Sequence, residues 1–109
     1  MKKIYLSFPI SHFDIEERRE FAAKRAKYLS EVFDCEVVNP LENGLSEDEH
    51  WRLHMKRDVQ LLLDCDKIFM CKDWEYSKGS LFEHEVAVTC GISVLYENNF
   101  WEFNPELKL

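Results

Sequence analysis

Short apolar runs alternate with longer amphipathic stretches along the chain. The apolar runs are rich in β-branched and aromatic residues, a composition that predicts short buried strands. They lie at 3–8, 35–38, 67–71 and 92–96. The stretches between them repeat apolar residues at three- and four-residue steps, which predicts helices. They lie at about 15–33, at about 47–64 and from Ser80 to Gly91.

Each predicted helix begins with a polar residue that is followed three positions later by an acid, the spacing of an N-terminal cap. The three pairs are Asp14 with Glu17, Ser46 with Glu49 and Ser80 with Glu83. Gly91 suits the position just beyond a helix C-terminus. The charged residues of the first helix, Arg18 and Arg25 among them, are expected to form a solvated face.

Strands that alternate with helices predict a parallel sheet with crossover helices. We therefore expect a single α/β domain of the Rossmann or flavodoxin-like type over residues 1–97, with three layers and four to five strands. Residues 98–109 form an aromatic tail with no clear period. In such sheets ligands bind beyond the carboxyl ends of the strands, which directs attention to the residues that follow each strand.

Composition and charge narrow the classes of partner. The 109 residues include 14 basic and 21 acidic side chains, a net charge of −7, and no stretch is basic enough to follow a nucleic-acid backbone. No apolar run approaches the roughly 20 residues that a membrane helix needs. The apolar start is too short for a signal peptide, and the four cysteines match no zinc or disulfide pattern. We expect a cytoplasmic protein with free thiols.

Glu83 is the sharpest candidate for chemistry. Placed at the start of the third helix, its carboxylate is favoured as an anion and can act as a nucleophile toward a sugar C1 carbon. The capping spacing with Ser80 explains the same residue without any chemistry.

Tyr5 and Asp58 have similar alternatives. Tyr5, near the end of the first strand, is either a core aromatic or a hydroxyl that orients a carboxylate. Asp58, in the second helix, either holds a ligand hydroxyl or is a solvated acid that pairs with Lys56 or Arg57.

Other constellations are weaker. His50, His54 and Asp58 share a helical face, but without an HExxH arrangement or a further ligand we expect surface histidines and no metal site. Trp74 and Tyr76 precede the third helix. Their rings either stack on a nucleobase or cover the apolar edge of the sheet.

Four segments together resemble the nucleoside 2-deoxyribosyltransferase-like superfamily, in particular its short bacterial and phage members. The resemblance covers about residues 3–96 and rests on the order and spacing of the segments. They are KIYLSFPI at the start, Asn39-Pro40, Met55-Lys-Arg-Asp58 with Cys65-Asp66, and Ser77-Lys-Gly79-Ser80-Leu-Phe-Glu83.

The resemblance implies roles for these residues. Glu83 matches the nucleophile that attacks the deoxyribose anomeric carbon, Tyr5 the tyrosine that positions it, and Asp58 the acid near the sugar or base. Ser77 stands where transferases carry an aspartate, which is similar to the 2′-deoxynucleoside 5′-monophosphate N-hydrolases, where a serine helps to bind phosphate. The remaining candidate substrate-binding residues are Ser7, Pro9, Asn39, Trp74, Gly79 and Ser80.

The implied function is cleavage of an N-glycosidic bond, or deoxyribosyl transfer, on a small nucleoside or nucleotide. It requires no cofactor, and the resemblance also implies a homodimer or larger homo-oligomer. Phe8 stands where many relatives have glycine, and Ser11, His12 and Phe13 replace the arginine and glycines of the nucleotide hydrolases. These departures favour the alternative of a non-catalytic nucleotide-binding module, a sensor or sequestering protein. An interaction protein that uses the aromatic tail is a third possibility.

Overall fold

The computed structural model describes residues 2–98. Four parallel strands form the centre of the molecule, and their order across the sheet is β2-β1-β3-β4. The strands are β1 (Lys3–Ser7), β2 (Glu36–Val38), β3 (Lys67–Met70) and β4 (Ser93–Tyr96). The helices are α1 (Ile15–Phe33), α2 (Trp51–Leu63) and α3 (Lys78–Thr89), and two short 3₁₀ helices lie at Pro40–Glu42 and Trp74–Tyr76. The predicted α/β fold is confirmed, and within residues 2–98 its sheet has four strands, the lower of the two expected numbers.

Alternate residues of β1 point to opposite faces of the sheet, and each face has its own apolar cluster. Ile4 and Leu6 belong to the cluster that includes residues of α1. Tyr5 belongs to the other cluster, with Leu62 of α2 and Ala87 of α3. The sheet is therefore covered on both faces, as a parallel sheet requires.

The first helix begins where the sequence predicts, because the Asp14 carboxylate accepts a hydrogen bond from the Glu17 backbone N–H at 3.1 Å. The expectation that the charged residues of α1 form a solvated face is only partly correct. Arg18 and Arg25 are buried: Arg18 donates from Nη1 to the Pro9 carbonyl at 3.0 Å, and Arg25 pairs with Glu97. A buried guanidinium needs such partners, and the helical period alone does not identify them.

The other two helix starts differ from the prediction. Ser46 and Glu49 form only a turn, and α2 begins at Trp51, where the His50 ring nitrogen accepts from the Arg52 N–H at 3.0 Å. In α3 the cap is Ser77, whose hydroxyl accepts from the Ser80 N–H at 3.2 Å.

The C-terminal end of α3 confirms the role of Gly91, whose φ of +74° lies in the left-handed region. The Ile92 N–H donates to the Ala87 carbonyl at 2.9 Å and the Gly91 N–H to the Val88 carbonyl at 3.3 Å, the two hydrogen bonds of a Schellman motif.

Two further expectations concern membrane-spanning helices and the aromatic tail. Within residues 2–98, no helix is both long and apolar enough to cross a membrane. The aromatic tail at 98–109 lies, apart from residue 98, outside the described residues.

Candidate active site

A cleft of about 1410 Å³ opens at the carboxyl edge of the sheet. The segments that follow β1 and β2 form one part of its wall, and the starts of α2 and α3 form the other. Six of the predicted site residues line it. They are Pro9, Asp58, Ser77, Gly79, Ser80 and Glu83.

Glu83 reaches from α3 back to β1, where two hydroxyls hold its carboxylate. The Tyr5 hydroxyl donates to Oε2 at 2.5 Å, and the Ser7 hydroxyl donates to Oε1 at 2.8 Å. Both donors lie on one face of β1, since they are two residues apart. Glu83 is only 5% exposed and lies in the second turn of α3, so it does not cap the helix. The capping interpretation is wrong because Ser77 begins α3 earlier in the chain.

The ionisation of Glu83 reflects this environment. Burial and, to a smaller extent, the charge of Asp58 raise the pKa of the Glu83 carboxyl to about 7, against the lowering effect of the hydrogen bonds from Tyr5 and Ser7. Burial and the neighbouring Glu83 raise the pKa of Tyr5 well above its ordinary value, so the phenol stays a neutral donor. A carboxyl that titrates near neutrality in a cleft is a typical candidate for catalysis.

Asp58 is buried in α2 and is not the solvated acid that one alternative expected. Its Oδ1 accepts from the Asn43 side-chain amide at 2.9 Å. Burial raises the pKa of Asp58, while the Asn43 hydrogen bond and the nearby His54 and Arg57 lower it.

Asn43 is the functional candidate that sequence reasoning missed. It lies in the loop after β2, next to Gly44, whose φ of +87° fits a turn. Its buried amide also lies 3.1 Å from His54 Nδ1, and its oxygen accepts from the Leu45 N–H at 3.0 Å. Because the amide nitrogen only donates, His54 accepts at Nδ1 and donates from Nε2 to the Ser46 carbonyl at 3.0 Å. Asn43 thus joins the loop after β2 to Asp58.

Three predicted binding residues lie elsewhere. The Asn39 side chain accepts from the Leu41 N–H at 3.0 Å and caps the first 3₁₀ helix. Trp74 stacks on His84, with ring centroids 4.5 Å apart, and packs on the second apolar cluster, so it covers the sheet. Ser7 is fully buried beneath Glu83. Asn39, Trp74 and Ser7 are not among the described residues that line the cleft, whereas Tyr76 is.

The segment after β1 provides few groups for binding a phosphate, in line with the departures from the nucleotide hydrolases that the sequence shows. Phe8 is buried in the α1 cluster, with its ring 5.5 Å from that of Phe21. The Arg18 guanidinium lies against the rings of Phe13 and Phe21, at 4.1 and 3.9 Å, and is occupied by Pro9 and Glu17. Basic groups on the cleft wall include Arg19 and Lys78.

The start of α3 offers further polar groups. The Ser80 hydroxyl is buried, with the residue 1% exposed, and has no hydrogen-bond partner among residues 2–98. Such an atom is unusual in a folded protein unless a ligand or water satisfies it. Gly79 lets α3 approach α2, because a Cβ there would lie 3.3 Å from the Met55 sulfur.

Two solved structures have a similar fold. A conserved protein from Enterococcus faecalis V583 is 22% identical, with a TM-score of 0.66, over 88% of this chain and 62% of that chain. A 2-desoxiribosyltransferase from Leishmania mexicana is 21% identical, with a TM-score of 0.64, over 88% of this chain and 63% of that chain. The chain therefore spans less than two thirds of either structure, and at these identities the likeness establishes the fold alone.

Comparison by sequence gives one family. A search of curated proteins gave no significant match. A family model matches residues 2–96, which is nearly the whole of the part that forms the sheet and its helices. The chain belongs to the family described as "Domain of unknown function (DUF4406)".

Proposed function

We propose that this protein cleaves the N-glycosidic bond of a 2′-deoxynucleoside or its nucleotide, or transfers the deoxyribosyl group, with Glu83 as the nucleophile. The observation that carries the proposal is the buried Glu83 carboxylate in the cleft wall, with each oxygen held by a hydroxyl of β1. The fold shared with a 2-desoxiribosyltransferase supports the same class of reaction.

The proposed reaction has two steps. A Glu83 oxygen bonds to C1′ as the C1′–N bond breaks, and the electron pair stays on the base, which leaves after taking a proton. Water or a second base then attacks C1′ and gives up a proton, while the electron pair of the C1′–O bond returns to Glu83. Water as acceptor makes the protein a hydrolase, and a second base makes it a transferase.

The other side chains bind and orient in this scheme. Tyr5 holds the Glu83 carboxylate, and Asp58 contacts the sugar or the base. Ser77, Gly79 and Ser80 bind a sugar hydroxyl or a phosphate, and the unpartnered Ser80 hydroxyl supports that role. The chemistry requires no metal, so base release is expected to persist in the presence of a chelator.

The test is base release from a panel of 2′-deoxynucleosides and their 5′-monophosphates, followed by chromatography. Glu83→Ala is expected to abolish release. Glu85→Ala is the matched control, because Glu85 is an exposed acid on the same helix, and it is expected to leave release unchanged. Release that persists in Glu83→Ala would overturn the assignment of the nucleophile.

The same panel tests the rival function. Thermal stabilisation by a nucleotide, without turnover and retained in Glu83→Ala, would replace the enzyme with a sensor or sequestering protein. If no compound is cleaved or bound, both functions fail. Self-association, which the resemblance implies, is checked by sedimentation velocity.

A further inference from the structure

Ser7 has no role in the reaction proposed above, although it contacts the proposed nucleophile. It is the last residue of β1 and is fully buried. The sequence placed it among the substrate-binding residues, yet its hydroxyl donates to Glu83 Oε1 at 2.8 Å. The Tyr5 hydroxyl donates to the other oxygen at 2.5 Å. The carboxylate therefore has one hydroxyl on each oxygen.

Two donors constrain a carboxylate in a way that one cannot. A single hydrogen bond leaves the carboxylate plane free to turn about its last side-chain bond, whereas two bonds from fixed points on one strand define that plane. Both donors are side chains of a central strand, with β2 on one side and β3 on the other. The orientation of Glu83 toward the cleft thus depends on Ser7 as much as on Tyr5.

The same bonds decide how the charge is stabilised. Within residues 2–98 no salt bridge joins Glu83 to a basic side chain. The nearby acid Asp58 disfavours the anion, as burial does. The hydrogen bonds from Tyr5 and Ser7 favour it, and a hydrogen bond to a charged group is stronger than one between neutral groups.

We propose that Ser7 is a positioning residue for Glu83, which fixes the plane of its carboxylate and stabilises its anionic form through Oε1. The part of this inference that concerns turnover rests on the proposed function. The part that concerns the charge of Glu83 does not, and it is measurable in the protein without any substrate.

Where Glu83 is fully ionised, loss of the Ser7 hydroxyl has opposite effects on the two proposed steps. In the first, a carboxylate with one donor fewer is more basic and therefore a stronger nucleophile, although at neutral pH a smaller fraction of Glu83 is ionised. In the second, the electron pair of the C1′–O bond returns to Glu83 as water attacks C1′. The departing carboxylate then lacks one of its two donors, so this step slows and the covalent glycosyl-enzyme accumulates.

The decisive measurement is the titration of the Glu83 carboxyl by ¹³C NMR in the wild type and in Ser7→Ala. The pKa of Glu83 is expected to rise by roughly one unit in the variant, the shift that corresponds to one hydrogen bond to a charged group. Ser30→Ala is the control, because the Ser30 hydroxyl bonds to the Lys27 carbonyl on α1, and it leaves the titration unchanged. A folded Ser7→Ala with an unshifted Glu83 overturns the proposal.

A second variant tests the same proposal if Ser7→Ala does not fold. Ser7→Cys keeps a side chain of similar size with a weaker donor, so a smaller rise in the pKa of Glu83 is expected. Once a cleaved substrate is known, the acidic limb of the kcat–pH profile is expected to shift to higher pH in Ser7→Ala. The size of the shift is expected to equal the change in the pKa of Glu83 measured by NMR. Intact-protein mass spectrometry then finds more glycosyl-enzyme than in the wild type.

The two proposals can fail separately. A shifted Glu83 titration in a protein that cleaves nothing upholds the positioning role and removes the glycosidase. Turnover that depends on Glu83, with a titration that Ser7→Ala leaves unchanged, upholds the glycosidase and removes the role of Ser7.

Discussion

Two buried glutamates on opposite faces of the sheet have different hydrogen-bond donors as partners. Glu97, just after β4, is 3% exposed and receives two hydrogen bonds from the Arg25 guanidinium, at 2.5 and 3.2 Å. Glu83, in α3, is 5% exposed and receives two hydrogen bonds from neutral hydroxyls. The two acids are buried alike, but within residues 2–98 only Glu97 has a cation as its partner.

This difference separates an acid that is paired with a cation from the acid that we propose as the nucleophile. A guanidinium compensates most of the penalty of burying a carboxylate, and the pair then joins α1 to the end of β4. Hydroxyls compensate less, so burial raises the pKa of Glu83 to about 7 and the folded protein retains part of the penalty. A carboxylate that is oriented but incompletely stabilised is available to react with a ligand in the cleft.

The largest expected effect is on catalysis. Glu83→Gln is expected to lower kcat at least roughly 10³-fold, because an amide cannot form and release the covalent intermediate. The double variant Arg25→Met/Glu97→Leu, which removes the other buried acid with its partner, is expected to stay within about tenfold of the wild type. Similar losses in the two proteins would erase the distinction between the two glutamates. Base release under substrate saturation is the measurement.

The next effect is on stability. Arg25→Met leaves Glu97 buried without a cation and is expected to lower the free energy of unfolding by about 3–5 kcal/mol. Adding Glu97→Leu is expected to restore most of that loss, because an apolar pair of similar size replaces the ion pair. Urea denaturation measures both. A double variant as unstable as Arg25→Met alone would show that packing of the arginine, and not its charge, stabilises this face.

The third effect concerns Glu83 and has the opposite sign. Its carboxyl pKa is about 7 in the folded protein against 4.5 when unperturbed, so the folded state holds the proton more tightly. Below the unperturbed value both states are protonated and no penalty exists. As the pH rises from about 4.5 to about 7, the unfolded state ionises first, and Glu83 subtracts about 2–4 kcal/mol from stability above that window.

Glu83→Gln therefore is expected to stabilise the protein at about pH 8 and to leave it nearly unchanged at about pH 4. The difference between wild type and variant is measured by urea denaturation across this range, which cancels the other titrating groups. A variant that is less stable than the wild type at high pH would contradict the raised pKa of Glu83.

The smallest effect tests whether Asn43 belongs to the site through its hydrogen bond to Asp58. Asn43→Ala removes the hydrogen bond to Asp58 Oδ1, which is expected to raise the pKa of Asp58 and to lower the free energy of unfolding by about 1–3 kcal/mol. Asn39→Ala is the matched control, since Asn39 only caps a short helix, and it leaves the Asp58 titration unchanged. Carboxyl NMR and urea denaturation read the two outcomes. An unchanged Asp58 titration in Asn43→Ala would remove Asn43 from the site.

Local sequence signals predicted the elements better than the residues at which the helices begin. The apolar runs predicted all four strands, and Asp14 with Glu17 located the start of α1. The other two helix starts differ from the prediction: Ser46 and Glu49 form only a turn before α2, and Ser80 has the spacing of a capping box, yet Ser77 caps α3. The consequence was larger than a shifted boundary, because it released Glu83 from a capping role.

Side-chain partners were much less predictable than elements. The resemblance selected Tyr5, Asp58 and Glu83 for the site, and the structure brings Tyr5 and Glu83 into contact and buries Asp58 beside Asn43. Nothing in the local pattern distinguished Trp74, which covers the sheet, from Tyr76, which is 87% exposed at the cleft. Both are aromatic residues of one short segment, and only the packing around them differs.

By itself, the sequence determined the order of strands and helices, and hence the parallel sheet and the edge at which the cleft opens. These follow from periodicities and caps that involve residues only a few positions apart. Only the tertiary structure decided that Glu83 meets Tyr5 and Ser7, 78 and 76 residues away, and that Arg25 meets Glu97, 72 residues away. Such pairs form when the sheet brings distant segments together. The hydrogen-bond partner and the burial of each carboxylate at that place then determine its pKa.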